Sequence, residues 1–226
     1  MNLKSRYEGV LANVAKAHSV SGPASLVVVT KNHPASLVAE LIDLGARDFG
    51  ENRDQEASAK AREVAELRPD VEVNWHFVGQ LQTNKVRSVV GYARAIHSID
   101  RPSLVAELEK QLTKAERSVD GFIELNLTDD PGRGGVMPEE LLPLAEKVLA
   151  VQAIHLVGLM AVAGLDRDAR SEFERVLAIQ AKFLEIAPGA KGLSMGMSGD
   201  YETALELGAT HIRVGSKITG PRPYSA

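Results

Sequence analysis

The chain has 226 residues, of which 44% are hydrophobic and 25% are charged, and its formal net charge is −4 at pH 7. This length and composition predict one compact domain over residues 1–226, within the size range of a single α/β barrel. Charges of both signs are interspersed without a basic run, which argues against nucleic-acid binding, and the lack of cysteine excludes disulfides, thiolate metal sites and a cysteine nucleophile.

The first residues also bear on location. Residues 1–6 lack the apolar core of a signal peptide, and no stretch of the sequence has the length needed to cross a bilayer. We therefore expect a cytoplasmic protein without a membrane partner. Helix patterns do not report an oligomeric state, and we expect a monomer.

In chain order, the hydrophobic periodicity predicts one helix followed by repeated strand and helix units. The predicted helices span residues 3–18, 35–44, 53–67, 82–90, 102–117, 138–149, 167–186 and 200–207. The predicted strands span residues 25–31, 46–49, 73–78, 93–99, 122–127, 154–160, 192–194 and 211–214. Eight short strands alternating with helices indicate a closed parallel barrel or a doubly wound sheet. Too few residues follow strand eight for a long covering helix, so the helix at 3–18 would complete the outer layer, which favours a (β/α)8 TIM-type barrel with an extra N-terminal helix.

The first predicted strand ends at a lysine. Lys31 follows a nearly continuous apolar run and lies at the carboxyl end, where parallel α/β proteins place functional side chains. One interpretation is an ordinary strand-end lysine, with its ammonium in solvent and its stem along apolar surface. The other is a partly desolvated amine that forms a Schiff base with a carbonyl compound.

Two segments rich in glycine and serine follow the last two predicted strands. Residues 194–200, which include Ser198, lead into a helix start, and Gly215 and Ser216 follow strand eight. Small residues let backbone amides approach an anion, and a helix N-terminus favours negative charge. Ser198 could instead be only a helix cap and Gly215 only a turn residue. Because the two segments flank one strand, together they favour a phosphate site.

A phosphate site opposite a buried lysine is the pattern of a pyridoxal phosphate site, in which the aldehyde bonds the lysine and the phosphate is anchored across the barrel mouth. The sequence also resembles a known family in six motifs that occur in the family's order. These motifs lie at residues 29–34, 49–56, 75–85, 158–160, 193–198 and 213–216. They are similar to those of the pyridoxal phosphate homeostasis proteins, once called proline synthetase co-transcribed homologues. The resemblance implies a barrel like the N-terminal domain of alanine racemase and a role in intracellular vitamin B6 homeostasis.

The resemblance implies a set of cofactor-binding residues but no catalytic residue and no metal ligand. The set is Lys31, Asn52, His76, Met195, Ser198, Arg213, Gly215 and Ser216. Within it, Lys31 matches the Schiff-base lysine, and Arg213 matches an arginine near either the pyridine nitrogen or the phosphate. His76 could equally be a core histidine, and Met195 could be a gap filler. The sequence departs from the family at Arg133, where many relatives carry lysine, so any exchange role of that lysine is in doubt.

Two functions from different classes remain open. The first is a carrier that holds pyridoxal 5'-phosphate on Lys31 without defined turnover and passes it to apo-enzymes. The second is a pyridoxal phosphate-dependent amino-acid racemase. Racemases of this fold carry a second, β-rich domain with a tyrosine base, and Tyr224 is the only tyrosine near the end of this sequence, so we expect the carrier. A scaffold without a cofactor is a third candidate, which the two phosphate segments disfavour.

Overall fold

The computed structural model describes residues 2–17, 23–128, 130, 132–164 and 167–221, in which eight parallel strands close into a barrel. Each strand pairs with the next in chain order, and the eighth pairs with the first. The strands are β1 (Ser25–Val29), β2 (Asp48–Glu51), β3 (Asn74–Phe77), β4 (Ala93–Ile99), β5 (Val119–Glu124), β6 (Ile154–Met160), β7 (Gly192–Ser194) and β8 (His211–Val214). The predicted (β/α)8 barrel is confirmed.

The α-helices of the described residues surround the barrel. They are α1 (Leu3–Lys16), α2 (Ala35–Asp43), α3 (Asp54–Leu67), α4 (Val86–Tyr92), α5 (Pro102–Ala115), α6 (Leu141–Leu149), α7 (Ala169–Ile186), α8 (Tyr201–Glu206) and α9 (Ser216–Thr219). None of the helices described is long and apolar enough to cross a membrane.

Helix α1 covers the side of the barrel where the four-residue α9 follows β8. Arg6 Nε donates to the carbonyl oxygen of Ile218 at 2.6 Å. Asn13 Nδ2 donates to the hydroxyl of Tyr201 at 2.8 Å. These bonds hold α1 against α9 and α8, as predicted for the extra N-terminal helix.

The bounds of β1, β2, β3 and β5 differ from the sequence prediction, and the differences at β1 and β5 have a local cause. Strand β1 ends at Val29, and the chain turns at Asn32, whose φ of 63° lies in the left-handed region. Strand β5 begins at Val119, before the predicted start at residue 122, although aspartate and glycine follow. Gly121 is required inside this strand, because a Cβ there would lie 2.8 Å from Ile154 and 2.9 Å from Ile99.

Rings and polar groups, rather than only branched aliphatic residues, fill the middle of the barrel. The Phe122 ring stacks on His97 with centroids 4.4 Å apart and meets His211 edge-on at 4.9 Å. On the outer face of the strands, apolar residues such as Val28, Phe49 and Ile212 are fully buried under the helices. Buried polar groups need hydrogen-bond partners, so each polar side chain inside the barrel depends on the neighbours that bond it.

Candidate functional site

Lys31 lies just beyond the carboxyl end of β1, half-buried in the turn that leads to α2. The strand ladder continues one residue past β1, because the Thr30 N–H donates to the Gly50 carbonyl at 3.0 Å. The turn closes when His33 N donates to the Thr30 carbonyl at 3.0 Å. The backbone on both sides of Lys31 is therefore fixed at the mouth of the barrel.

Side chains of α3 and β2 reinforce this turn from below. Lys60 Nζ donates to the carbonyl oxygen of Thr30 at 2.8 Å, and Glu56 Oε1 accepts from the Asn32 N–H at 2.5 Å. The Thr30 hydroxyl donates to Glu51 Oε1 at 2.7 Å. The peptide groups before and after Lys31 are thus bonded to two charged side chains of one helix.

A buried ion cluster holds these groups together. Lys60 Nζ lies 2.6 Å from Glu51 Oε1 and 2.8 Å from Glu56 Oε1, and the Lys60 and Glu51 side chains are only 5% and 1% exposed. Burial raises the pKa of the Glu51 carboxyl, and the Lys60 ammonium opposes that shift. A buried carboxylate depends on such a partner, because removing one member of a buried pair leaves an uncompensated charge.

The segments after β7 and β8 meet through one serine. Ser198 Oγ accepts from the backbone N–H groups of Gly215 at 3.2 Å and of Lys217 at 3.4 Å. Ser216, between them, is the exposed first residue of α9. Two amides and two hydroxyl groups therefore gather at this edge of the mouth, a set of donors suited to an anion.

The loop after β7 needs glycine to reach this position. Gly196 has a φ of +90°, and a Cβ there would lie 2.6 Å from the Ala204 Cβ and 2.9 Å from the Tyr201 Cα. Asp200 closes the same loop by accepting from the Met197 N–H at 2.5 Å. Gly196 thus lets the loop pack onto α8 and places Ser198 beside the end of β8.

Arg213 points into the barrel from β8, and its side chain is buried. One terminal nitrogen donates to Ser194 Oγ at 2.6 Å and the other to the Ala161 carbonyl at 3.0 Å. Burial lowers the pKa of Arg213 to about 10, so it stays charged at neutral pH. Its two partners lie at the ends of β7 and β6, whereas the amides around Ser198 lie in the loops above.

The remaining predicted site residues fall in three different places. Asn52 lines a cleft of about 400 Å³ between the loops after β2 and β3, together with Lys85. Met195 is fully buried in the hydrophobic core. His76 differs from the expectation, because it lines an opening at the amino-terminal end of the strands, beside Asp48. The sequence could not show which end of the barrel the His76 side chain faces, since a histidine in a strand can face either end.

Glu124 is a mouth residue that the sequence-based prediction missed. Burial raises its pKa to about 7; Asp100 adds to the shift, and Arg213 opposes it. A signal was present, because Phe122 and Glu124 alternate along β5 and so share one face. Asn126 is buried and holds the following loop by donating to the Asp130 and Arg133 carbonyls, both at 3.0 Å.

Comparison with known proteins agrees with this architecture. Residues 7–223 match the family model described as alanine racemase, N-terminal domain. The pyridoxal phosphate homeostasis protein of Aquifex aeolicus is 35% identical over 232 residues, covering 99% of this chain and 100% of the relative. That of Pseudomonas aeruginosa is 34% identical over 221 residues, covering 96% and 94%.

A solved structure of similar length gives the same result. PipY of Synechococcus elongatus PCC7942, with PLP bound, superposes with a TM-score of 0.87 at 32% identity, and the match covers 97% of this chain and all of PipY. Alanine racemase of Clostridium difficile 630 shares the fold, with a TM-score of 0.75 at 12% identity over 57% of its own chain. The chain therefore belongs to the pyridoxal phosphate homeostasis proteins, within the alanine racemase N-terminal-domain family.

Proposed function

We propose that this protein binds pyridoxal 5'-phosphate as a Schiff base on Lys31 and serves intracellular homeostasis of this cofactor, without defined turnover. The observation that carries the proposal is the meeting of two segments at the mouth. A Cβ on Gly215 would lie 3.3 Å from the carbonyl oxygen of Val29, two residues before Lys31. The Lys31 amine and the proposed phosphate-binding amides therefore follow the ends of two neighbouring strands, β1 and β8. One small ligand could contact both.

The chemistry of the residues fits this cofactor. The hydroxyls of Ser198 and Ser216 would donate to the phosphate, because a phosphate ester carries strong acceptor oxygens. The amides of Gly215 and Lys217, which donate to Ser198 Oγ in this structure, would turn to the phosphate when it binds. When bound, the cofactor supplies an aldehyde that condenses with amines and a ring that withdraws electrons. The half-buried turn that carries Lys31 would keep its amine directed at that aldehyde.

We infer that Arg213 faces the pyridine nitrogen rather than the phosphate. Its contacts with Ser194 and Ala161 hold it within the barrel, below the loop amides that would take the phosphate. A guanidinium does not give up its proton, so it would leave the ring nitrogen unprotonated and weaken the ring as an electron sink. This supports storage or racemase-like chemistry over transamination.

Borohydride reduction followed by peptide mass spectrometry tests the covalent link. The expected result is a pyridoxyl adduct on the peptide containing Lys31, lost in Lys31→Ala and kept in Lys85→Ala, whose lysine lies in the cleft beside Asn52. An adduct that persists in Lys31→Ala would overturn the assignment. A protein whose absorption spectrum does not change when pyridoxal 5'-phosphate is added would overturn the function itself.

A pyridoxal phosphate-dependent racemase is the second candidate, and one observation favours it. Glu124, with its pKa raised to about 7, is suited to taking and returning a proton near neutral pH. His76 is less suited, because its ring nitrogens already bond Asp48 and His97. Tyr224, the tyrosine considered from the sequence, lies outside the described residues.

Single enantiomers of alanine and serine in deuterated water distinguish the two candidates. A carrier leaves their chirality unchanged, although slow isotope exchange at the α-carbon from one face is compatible with Lys31 as the single base. Inversion at ordinary enzymatic rates, abolished in Lys31→Ala and reduced in Glu124→Gln, would establish the racemase. Transfer of the cofactor to an apo-enzyme, measured by recovery of that enzyme's activity, would support the carrier.

A further inference from the structure

Four side chains form a continuous line of hydrogen bonds from Arg213 through the centre of the barrel. Ser194 Oγ lies 2.7 Å from His97 Nδ1, and His97 Nε2 lies 2.9 Å from His76 Nδ1. His76 Nε2 lies 2.9 Å from Asp48 Oδ1. Ser194 and His97 are fully buried and His76 is 5% exposed, so these groups depend on one another for partners.

The two ends of the line determine its direction. Arg213 has only donors, so Ser194 Oγ accepts from it. At the other end, burial tends to raise the pKa of Asp48, but the bonds from His76 and Asn74 keep it below its ordinary value, so this carboxylate accepts. Both histidines then carry their hydrogen on Nε2, and the Ser194 hydroxyl donates to His97 Nδ1. In this arrangement every donor and acceptor in the line is used once.

The opposite arrangement leaves a group without a partner. It would require a charged His76, with the His97 hydrogen on Nδ1 pointing at Ser194. Ser194 would then accept twice, and its own hydrogen would lack an acceptor among the described contacts.

We propose that Ser194, His97, His76 and Asp48 are positioning residues that hold Arg213 in one orientation toward the cofactor ring, through hydrogen bonds of fixed direction. Ser194 and Ala161 fix two nitrogens of the guanidinium, and the histidines fix the Ser194 hydroxyl. Polarised chains strengthen their members in a low-dielectric interior. The role toward the ring rests on the proposed function, whereas the direction of the line does not.

The line also links the two ends of the barrel. Asp48 lies in an opening of about 450 Å³ at the amino-terminal face, lined also by Arg47, Asn74, Asp120 and His211. Its side chain is 32% exposed, so one end of the line reaches solvent far from the proposed cofactor. A substitution there would act on the mouth without touching the ligand.

Nitrogen NMR of labelled protein without cofactor tests the direction. Near neutral pH, His76 and His97 should each show one tautomer, with hydrogen on Nε2. Ser194→Ala removes the donor to His97 Nδ1 but leaves the Asp48 end of the line intact. His97 should therefore keep its hydrogen on Nε2, and its Nδ1 resonance should shift to that of a ring nitrogen that accepts no hydrogen bond. Ser98→Ala is the matched control, because Ser98 is equally buried in β4 and its hydroxyl has no partner among the described residues. A wild-type His97 with hydrogen on Nδ1 would overturn the proposal.

Cofactor binding tests the positioning role. Ser194→Ala should weaken pyridoxal 5'-phosphate binding about tenfold, as expected for loss of one charge-assisted hydrogen bond, and Ser98→Ala should stay within about twofold. Equal affinities in the two variants would overturn the role. If wild-type protein binds no cofactor, the proposed function fails, and the NMR result still decides the direction.

A remote pair of variants keeps the test decisive if Ser194→Ala does not fold. Asp48→Asn should shift the absorption maximum of the bound cofactor, because it removes the charge at the end of the line. Asp120→Asn should not, since Asp120 lines the same opening but pairs with the exposed Arg94. Identical spectra for both variants and wild type would contradict the role of Asp48.

Discussion

The ammonium nitrogen of Lys60 lies 2.8 Å from the carbonyl oxygen of Thr30, the residue directly before Lys31. Through the same nitrogen, α3 also pairs with Glu51 at the end of β2. One buried lysine therefore joins a helix and two strand ends beneath another lysine at the mouth. Rigid support of this kind places a reactive group more accurately than a loop alone can.

Replacing Lys60 with methionine should lower the free energy of unfolding by about 3 to 5 kcal/mol, because Glu51 would remain buried without its cation. Urea denaturation measures the change. The double variant Lys60→Met/Glu51→Gln should recover part of the loss, since the uncompensated charge is gone. The matched control is Lys110→Met, because the Lys110 side chain is 69% exposed and forms a surface pair with Glu107. Similar losses in both lysine variants would contradict the buried-cluster interpretation.

Gly196→Ala should destabilise the protein by about 1 to 3 kcal/mol and weaken cofactor binding, because alanine is strained at a φ of +90° and would meet Ala204. Gly199→Ala in the same loop is the control. A Cβ on Gly199 meets nothing within 4 Å, and its φ is not positive. Thermal unfolding and ligand titration of both variants check the prediction, which fails if the two alanines behave alike.

The double variant Ser198→Ala/Ser216→Ala should reduce affinity for pyridoxal 5'-phosphate at least about tenfold, since two hydroxyl donors to a charged phosphate are lost. Affinity for pyridoxal, which lacks the phosphate, should change little. Equilibrium dialysis with both ligands measures the difference, and the exposed Ser88→Ala serves as control. If wild-type protein binds both ligands equally, these residues do not form a phosphate site.

The raised pKa of Glu124 predicts that the free energy of unfolding depends on pH. Its pKa is raised from 4.5 to about 7, so the folded state holds a proton that the unfolded state releases between these values. Its contribution to stability therefore falls as the pH rises through this window. Glu124→Gln should match wild type near about pH 4 and be more stable than wild type near about pH 8.

Urea midpoints of wild type and Glu124→Gln across this range measure that difference. The comparison between variants is needed because His211 acts in the opposite direction. Burial lowers the pKa of His211 to about 4, so its contribution rises with pH from there to its ordinary value of 6.5. A difference between Glu124→Gln and wild type that stays constant across this range would contradict the raised pKa of Glu124.

The alternation of elements and the position of Lys31 were readable from the sequence, because both depend on local pattern. Apolar runs bounded by glycine, proline and polar residues marked the strands, and parallel strands open at their carboxyl ends. The residues at which strands begin were harder to predict from the sequence. Asp120 and Gly121 resemble a turn, yet the structure continues β5 through them because Ile154 and Ile99 pack against the glycine. Local composition around Gly121 cannot report neighbours that come from other strands, such as Ile99 and Ile154.

Tertiary structure alone decided which polar groups share the interior. Lys60 is a charged residue of α3, and its burial depends on how α3 lies over Thr30 and Glu51. The direction of His76 depends on the register of β3, which sets it beside Gly50 of β2 and Ala95 of β4. Sequence determines which side chains a strand offers, but only closure of the barrel brings side chains from distant strands within hydrogen-bonding distance.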